Sequence, residues 1–230
     1  MVRLTYIITL YLLILTNCGK QKEYSQPTDI VDRTEEFLGT NIWVSLEENE
    51  SIDGYTRVGN FIFGGEIACN VEPLKNIDIK TFKVLAGTQY AKDTNRVYYP
   101  LRIHCIDYID CGVCYYADVI VKGANPKKFK YLSKDYATDG KHAFFRGERL
   151  KGADGATFKV IEGPKFFFFA TDKNHVYKHD KIFRDADPST FYYGETAPRN
   201  RVSEFDNRYI IGDKNNKWEF IPPDKITTID

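Results

Sequence analysis

Phe169-Ala170-Thr171-Asp172-Lys173-Asn174-His175-Val176-Tyr177 is one of three close copies of a single pattern in this 230-residue chain. The other two are Tyr90-Ala91-Lys92-Asp93-Thr94-Asn95-Arg96-Val97-Tyr98-Tyr99 and Tyr136-Ala137-Thr138-Asp139-Gly140-Lys141-His142-Ala143-Phe144-Phe145. Each reads aromatic, Ala, Lys or Thr, Asp, turn residues, then an apolar and aromatic pair. A second signature recurs at its own offset as Gly123-Ala-Asn-Pro-Lys-Lys-Phe129, Gly152-Ala-Asp-Gly-Ala-Thr-Phe158 and Asp185-Ala-Asp-Pro-Ser-Thr-Phe191, with Asp78-Ile-Lys-Thr-Phe82 a shortened form. Phe129, Phe158 and Phe191 lie 29 and 33 residues apart, which sets the period. Weaker copies flank these units. Asp213-Lys-Asn-Asn-Lys-Trp218 echoes Asp172 to Tyr177, and Gly59 to Glu66 echoes Gly140 to Glu148. Atypical terminal copies are what a repeat array uses as caps.

The chemistry of one unit predicts its structure. Asx and Gly residues between short aromatic-rich runs are the residues that tight turns between antiparallel strands demand. Pro126 and Pro188 fall where no ladder N–H is needed, ahead of runs such as Phe158-Lys-Val-Ile161. Asp187 could instead cap a single helical turn. Val97, Ala143 and Val176 alternate with aromatic neighbours at period two. The expected fold is all-β, an array of units of two or three short antiparallel strands with aromatics buried. Only 32–38 (DRTEEFL) reads as helical, for a turn or two.

At these residues the chain resembles the DKNYV family, short repeats of bacterial secreted and lipid-anchored proteins. Asp172-Lys173-Asn174-His175-Val176 matches the signature at four of five positions and Asp93-Thr94-Asn95-Arg96-Val97 at three. The resemblance covers about residues 55 to 220 and implies an architecture, because the family carries no assigned activity.

The N-terminus reads as an address. Arg3 precedes an uncharged, mostly apolar run from Leu4 to Thr16. As a helix that run spans roughly 20 Å, short of the roughly 30 Å hydrocarbon core, and so fits a signal peptide better than a membrane anchor. It ends in Leu15-Thr16-Asn17-Cys18-Gly19, which resembles the lipobox of bacterial lipoproteins, with Asn17 where Gly, Ala or Ser is usual. The resemblance implies acyl chains on Cys18, since stable anchoring needs more than one chain. Gly19, rather than Asp, after that Cys points to an outer-membrane location, facing the periplasm or the surface. The organisation expected is a signal peptide at 1–17, a flexible tether at 18–32, a lead-in at 33–54, the repeat domain at 55–220 and a tail at 221–230.

Apart from Cys18, the chain holds Cys69, Cys105, Cys111 and Cys114. An even number in an exported chain favours two disulfides, of three possible connectivities. Three of them lie in 100–116, a stretch that aligns with no other unit and reads as an insertion within a repeat hairpin; a bridge from Cys69 to it would staple neighbouring units. Cys111-Gly-Val-Cys114 also resembles a thioredoxin-type CxxC, although its flanks are strand-like and not the start of a helix. His104 with Cys105, Cys111 and Cys114 would give a Cys3His zinc set only if adjacent residues bent toward one metal.

Lys plus Arg total 32 and Asp plus Glu total 32, a balance that argues against a nucleic-acid partner. The 16 Tyr, 16 Phe and 2 Trp argue against disorder and favour pleated strands. Asp93, Asp139, Asp172 and Asp213 have the Asp-x-Asn look of calcium loops without the further oxygen ligands, so Asx turns are the expectation. His142, His175 and Arg96 share one position after those turns, which suggests an exposed polar site. The run 166–169 (FFFF) reads as a core strand. No P-loop, GxGxxG, HExxH or nucleophile-elbow pattern is present. The expectation is a non-catalytic envelope protein without cofactor or metal, held at the membrane by its N-terminal lipid and acting on an unknown protein or glycan. The competing expectations are a thiol–disulfide or metal-binding protein working through 111–114, and a glycan-binding adhesin using strand tyrosines.

Overall fold

The computed structural model describes residues 29–64, 73–99, 102–103, 114–115, 120–161, 163, 169–197, 208–221 and 225–229. Five four-stranded sheets follow one another along the chain. Sheet 1 holds Val31–Asp32, Glu50–Ile52, Tyr55–Val58 and Phe61–Gly64. Sheet 2 joins Trp43–Ser45 to Lys83–Leu85, Ala91–Lys92 and Val97–Tyr98. Sheets 3 and 4 are consecutive meanders, Lys130–Ser133, Tyr136–Thr138, Ala143–Phe145 and Glu148–Arg149, then Lys159–Val160, Phe169–Thr171, Val176–Lys178 and Lys181–Phe183. Sheet 5 holds Tyr192–Ala197, Arg208–Gly212, Lys217–Ile221 and Lys225–Ile229. Pairing is antiparallel except between Val31–Asp32 and Glu50–Ser51. Thr34–Phe37 forms a short 3-10 helix within the stretch expected to be helical.

The all-β array is therefore the observed fold, with four strands to a unit rather than two or three. The stretches expected as lead-in and tail are also strand-forming: Trp43–Ser45 edges sheet 2, and Lys225–Ile229 closes sheet 5. Alternation drew attention to the aromatic hairpins; the edge strands beside them lie outside the repeated signatures.

The sheets stack face on face, and period two decides which residue faces which neighbour. In sheet 3, Tyr136 lies across from Phe145 and Ala137 from Phe144. Tyr136, Ala143 and Phe145 pack with Phe158, Ala170 and Tyr177 of the next unit. Ala137 and Phe144 pack on the other side with Tyr90, Val97 and Phe129. In sheet 4, Ala170 and Tyr177 turn toward sheet 3, whereas Phe169 and Val176 turn toward Tyr209, Ile211, Trp218 and Phe220 of sheet 5. Central strands such as Tyr136–Thr138, Ala143–Phe145 and Phe169–Thr171 are consequently buried at every position. In sheet 5 burial alternates along Arg208–Gly212 and Lys217–Ile221, and Arg208 forms an ion pair with Glu219 on the far face. A polar outer face is what the last unit of a stack needs.

One aromatic contact repeats at every junction. The Phe that ends the second signature packs on the aromatic three residues before the Asp position of the preceding sheet. Ring centroids are 5.7 Å apart for Phe82 on Tyr55, 5.1 Å for Phe129 on Tyr90, 5.6 Å for Phe158 on Tyr136 and 5.3 Å for Phe191 on Phe169. Such pairs contribute about 0.5–1.5 kcal/mol each beyond area burial. Where that aromatic is Tyr, its hydroxyl donates to a carbonyl of the following unit: Tyr55 to Gln89 O at 2.9 Å, Tyr90 to Asp135 O at 3.1 Å and Tyr136 to His179 O at 2.9 Å. Burial pushes the Tyr90 and Tyr136 phenols well above their ordinary pKa, so both stay donors.

The insertion finds its place through its ends. Tyr98 bridges Ile120, and Val121 N–H donates to Val97 O at 2.8 Å, as Leu150 N–H donates to Ala143 O at 2.9 Å in sheet 3. In sequence, the chain between Tyr99 and Ile120 thus corresponds to Arg146-Gly147-Glu148 of sheet 3. Within it, Arg102–Ile103 pairs antiparallel with Cys114–Tyr115.

Candidate functional site

The family-like Asp residues sit at a junction of two turns that is built the same way four times. In sheets 2 to 5 the central hairpin closes through four-residue loops, 93–96, 139–142, 172–175 and 213–216, each begun by Asp. Sheet 1 lacks the Asp and closes through Gly59-Asn60 alone. The four carboxylates are buried, at 3%, 3%, 4% and 6% exposure. Oδ1 accepts the N–H groups two and three residues on: Asn95 and Arg96 at 2.7 Å, Lys141 at 2.9 Å and His142 at 2.7 Å, Asn174 and His175 at 2.7 Å, and Asn215 at 2.8 Å with Asn216 at 2.7 Å. This is the Asx turn expected from sequence.

Oδ2 performs a task the sequence did not disclose. It accepts the backbone N–H of the Asp or Asn in the second signature: Asp78 to Asp93 at 3.0 Å, Asn125 to Asp139 at 3.1 Å, Asp154 to Asp172 at 2.8 Å and Asp187 to Asp213 at 2.7 Å. Tyr98 and Tyr177 hydroxyls add bonds to Asp93 and Asp172 at 2.9 and 3.0 Å. One carboxylate thereby ties both signatures of a unit together. Burial alone would raise the pKa of Asp139, Asp172 and Asp213, yet the converging backbone donors outweigh it and hold all three below the usual carboxylate range. Donors that already occupy the carboxylate oxygens disfavour the calcium reading. Among the described residues no three His, Cys, Asp or Glu side chains group as metal ligands.

A second strap lies over three of these junctions. The Thr of the second signature accepts from the residue after the Asp: Thr81 from Thr94 N–H, Thr157 from Lys173 N–H and Thr190 from Lys214 N–H, at 3.1, 3.1 and 3.2 Å. In sheets 4 and 5 that following residue is a Lys whose Nζ reaches back to the second-signature Asp, Lys173 to Asp154 at 2.6 Å and Lys214 to Asp187 at 2.8 Å. These ammonium groups draw the Asp154 and Asp187 pKa values downward. The recurring Asp, Thr and Lys letters were visible in the sequence; their mutual contacts were not, since 13 to 27 residues separate them.

Sheet 3 breaks the strap at all three positions, with Asn125 for the Asp, Lys128 for the Thr and Gly140 for the Lys. Gly140 takes φ +81° and its N–H turns to Thr138 Oγ1 at 3.0 Å. A recess of about 350 Å³ opens there, lined by Asn125, Lys128, Asp139, Gly140, Lys141 and His142. His142, expected to be exposed, retains only 14% side-chain exposure and holds Nδ1 3.4 Å from Asp139 Oδ2; its counterpart His175 is 37% exposed.

The residues singled out by chemistry fall elsewhere. Cys18, Cys69, Cys105 and Cys111 lie outside the described residues, as do His104 and 166–168; Cys114 pairs with Ile103 in the strand ladder, and its side chain lies outside what is described. Phe169 is fully buried, as the core-strand reading expected of 166–169. The rings Tyr55, Tyr90, Tyr98, Tyr136 and Tyr177 are buried to within 1% and serve the core rather than a glycan platform. No helix among the described residues is long and apolar enough to cross a membrane.

No curated protein and no solved structure matches the chain. The model of the DKNYY family, read above through its variant signature DKNYV, does match it, over residues 107–181, a stretch that takes in sheet 3 and most of sheet 4.

Proposed function

We propose that this protein is a lipid-anchored bacterial envelope repeat protein, attached to the outer membrane through acylated Cys18, whose stacked sheets act as a non-catalytic binding or structural module. The supporting observation is how the repeated residues are employed. The recurring Asp carboxylates are filled by backbone donors, and the recurring aromatics fill the spaces between sheets. The features that define the repeat therefore serve construction, and the leader sequence supplies an address.

The test is expression of the full chain in a Gram-negative host, with mass spectrometry of the mature N-terminus and membrane fractionation. An acylated Cys18 at the N-terminus, and release of Cys18→Ala to the soluble fraction, are the expected results. A mature N-terminus elsewhere, or membrane association that survives Cys18→Ala, would overturn the anchored reading.

A further inference from the structure

We propose that the recess at the turn junction of sheet 3 is an anion-binding site that takes a phosphate-bearing ligand. The inference deepens the binding half of the reading above and is independent of the lipid anchor. Its basis is a comparison of equivalent junctions within one molecule. Sheets 4 and 5 fill this place with an acid, a hydroxyl and a Lys that satisfy one another: Asp154, Thr157 and Lys173, and Asp187, Thr190 and Lys214. Sheet 2 keeps the acid and the hydroxyl in Asp78 and Thr81. Sheet 3 alone exchanges all three at once; the first two exchanges add positive charge, and the third gives up a Lys but opens the junction.

Asn125 keeps the structural bonds of the Asp it replaces, since its Oδ1 accepts Lys127 N–H at 3.0 Å and its N–H donates to Asp139. It does so without the negative charge. Lys128 replaces a neutral hydroxyl by a cation, and Gly140 removes the side chain that closes the junction. Lys141 and His142 border the same opening, and a side chain grown from Gly123 would begin 4.0 Å from Arg149 Nη1. The one anion present is Asp139. Its oxygens already accept N–H bonds from Asn125, Lys141 and His142, so its lone pairs are engaged by backbone donors. What remains is a concave opening bordered by the exposed Lys128 and Lys141, whose one acid, Asp139, is already hydrogen-bonded, an arrangement suited to a compact, multiply charged oxyanion.

The test uses the full chain in non-ionic detergent with ¹⁵N-labelled imidazoles. The chain has 4 His, and His175 occupies the strapped junction of sheet 4, which makes it an internal control. Inorganic phosphate is expected to shift the His142 ring signals saturably and to leave His175 unmoved, while chloride at equal ionic strength moves neither. Asn125→Asp with Lys128→Thr restores the residues that sheets 2, 4 and 5 use, so the fold is kept while the site loses two units of positive charge. At roughly five-fold per charge at 4 Å in water, the double variant should bind phosphate at least about ten-fold more weakly. Glycerol 3-phosphate and phosphatidylglycerol vesicles form two further arms. A His142 response to the first assigns a soluble phosphate ester, and a response to the second alone assigns a lipid headgroup. No saturable His142 shift with phosphate, an equal shift at His175, or undiminished binding by the double variant would each overturn the proposal. None of those outcomes would alter the acylation result at Cys18.

Discussion

Replacing Asp172 by asparagine changes one atom of the side chain and tests the central claim about these junctions. In the native protein Oδ1 accepts two backbone N–H groups at 2.7 Å, and Oδ2 accepts Asp154 N–H at 2.8 Å and the Tyr177 hydroxyl at 3.0 Å. An asparagine oxygen can keep the first pair. Its amide then confronts Asp154 N–H donor to donor, and the Tyr177 hydroxyl has to reverse its role. Losing one hydrogen bond to a charged acceptor costs about 1.5–3 kcal/mol, and the bonds that survive weaken with the charge. The expected penalty is about 2–3 kcal/mol, or a fall in Tm of about 4–12 °C for a chain of this size. Asp172→Ala, which leaves every donor unmatched, should cost more. Lys173→Ala, whose ammonium group is 60% exposed in its pair with Asp154, should leave Tm nearly unchanged. Thermal and chemical denaturation measure the global loss. Amide exchange at Asp154, Asn174 and His175 measures whether the two turns come apart together, as a shared carboxylate requires. A variant Asp172→Asn within about 1 °C of the native Tm, or an increase in exchange confined to Asn174 and His175, would refute the idea that this carboxylate joins the two turns.

Two further outcomes follow from the same geometry. The carboxyls of Asp139, Asp172 and Asp213 titrate below their unfolded range of about 3.9, so the unfolded chain binds more protons near that pH. Their contribution to stability should be complete at neutral pH and be lost as pH falls below about 4, through the folded values; urea midpoints measured down the acid range should show this, and Asp172→Asn should shallow the decline. Gly147 and Gly140 both sit at positive φ, at 78° and 81°, but a Cβ on Gly147 would meet Tyr99 Cβ at 2.6 Å while one on Gly140 meets nothing within 4 Å. Gly140→Ala should therefore cost about 1–2 kcal/mol from backbone strain alone, and Gly147→Ala an additional 1–3 kcal/mol or so from the clash, measured by denaturant unfolding; equal penalties would contradict the packing described.

The letters of the repeat made much of this architecture legible. Asx turns are local events, in which Asp172 Oδ1 reaches only two and three residues along the chain, and alternating apolar strands announce themselves at period two. All-β units, their spacing and their resemblance to the DKNYY family could accordingly be read from residues near to one another. The edge strands Trp43–Ser45 and Lys225–Ile229 were not legible, because a short run outside the repeat becomes a strand only when a neighbouring ladder supplies its partners.

The aromatic content marked a core without saying that the central strands of sheets 3 and 4 would be buried on both faces. Phe158 meets Tyr136 across 22 positions of sequence, and only stacking brings them together. The second oxygen of each Asp was equally silent, since its donor arrives from a turn that comes before the strand pair. The same holds for the recess in sheet 3. Asn125, Lys128 and Gly140 are ordinary loop residues in one dimension. They acquire meaning when the stack sets them at a place where equivalent units put an acid, a hydroxyl and a lysine in mutual contact. Sequence by itself determined the turns and the strand period, because those depend on neighbours a few residues away. Tertiary structure decided which turns share a carboxylate, which faces are covered and where a junction stands open, because those depend on how successive units pack.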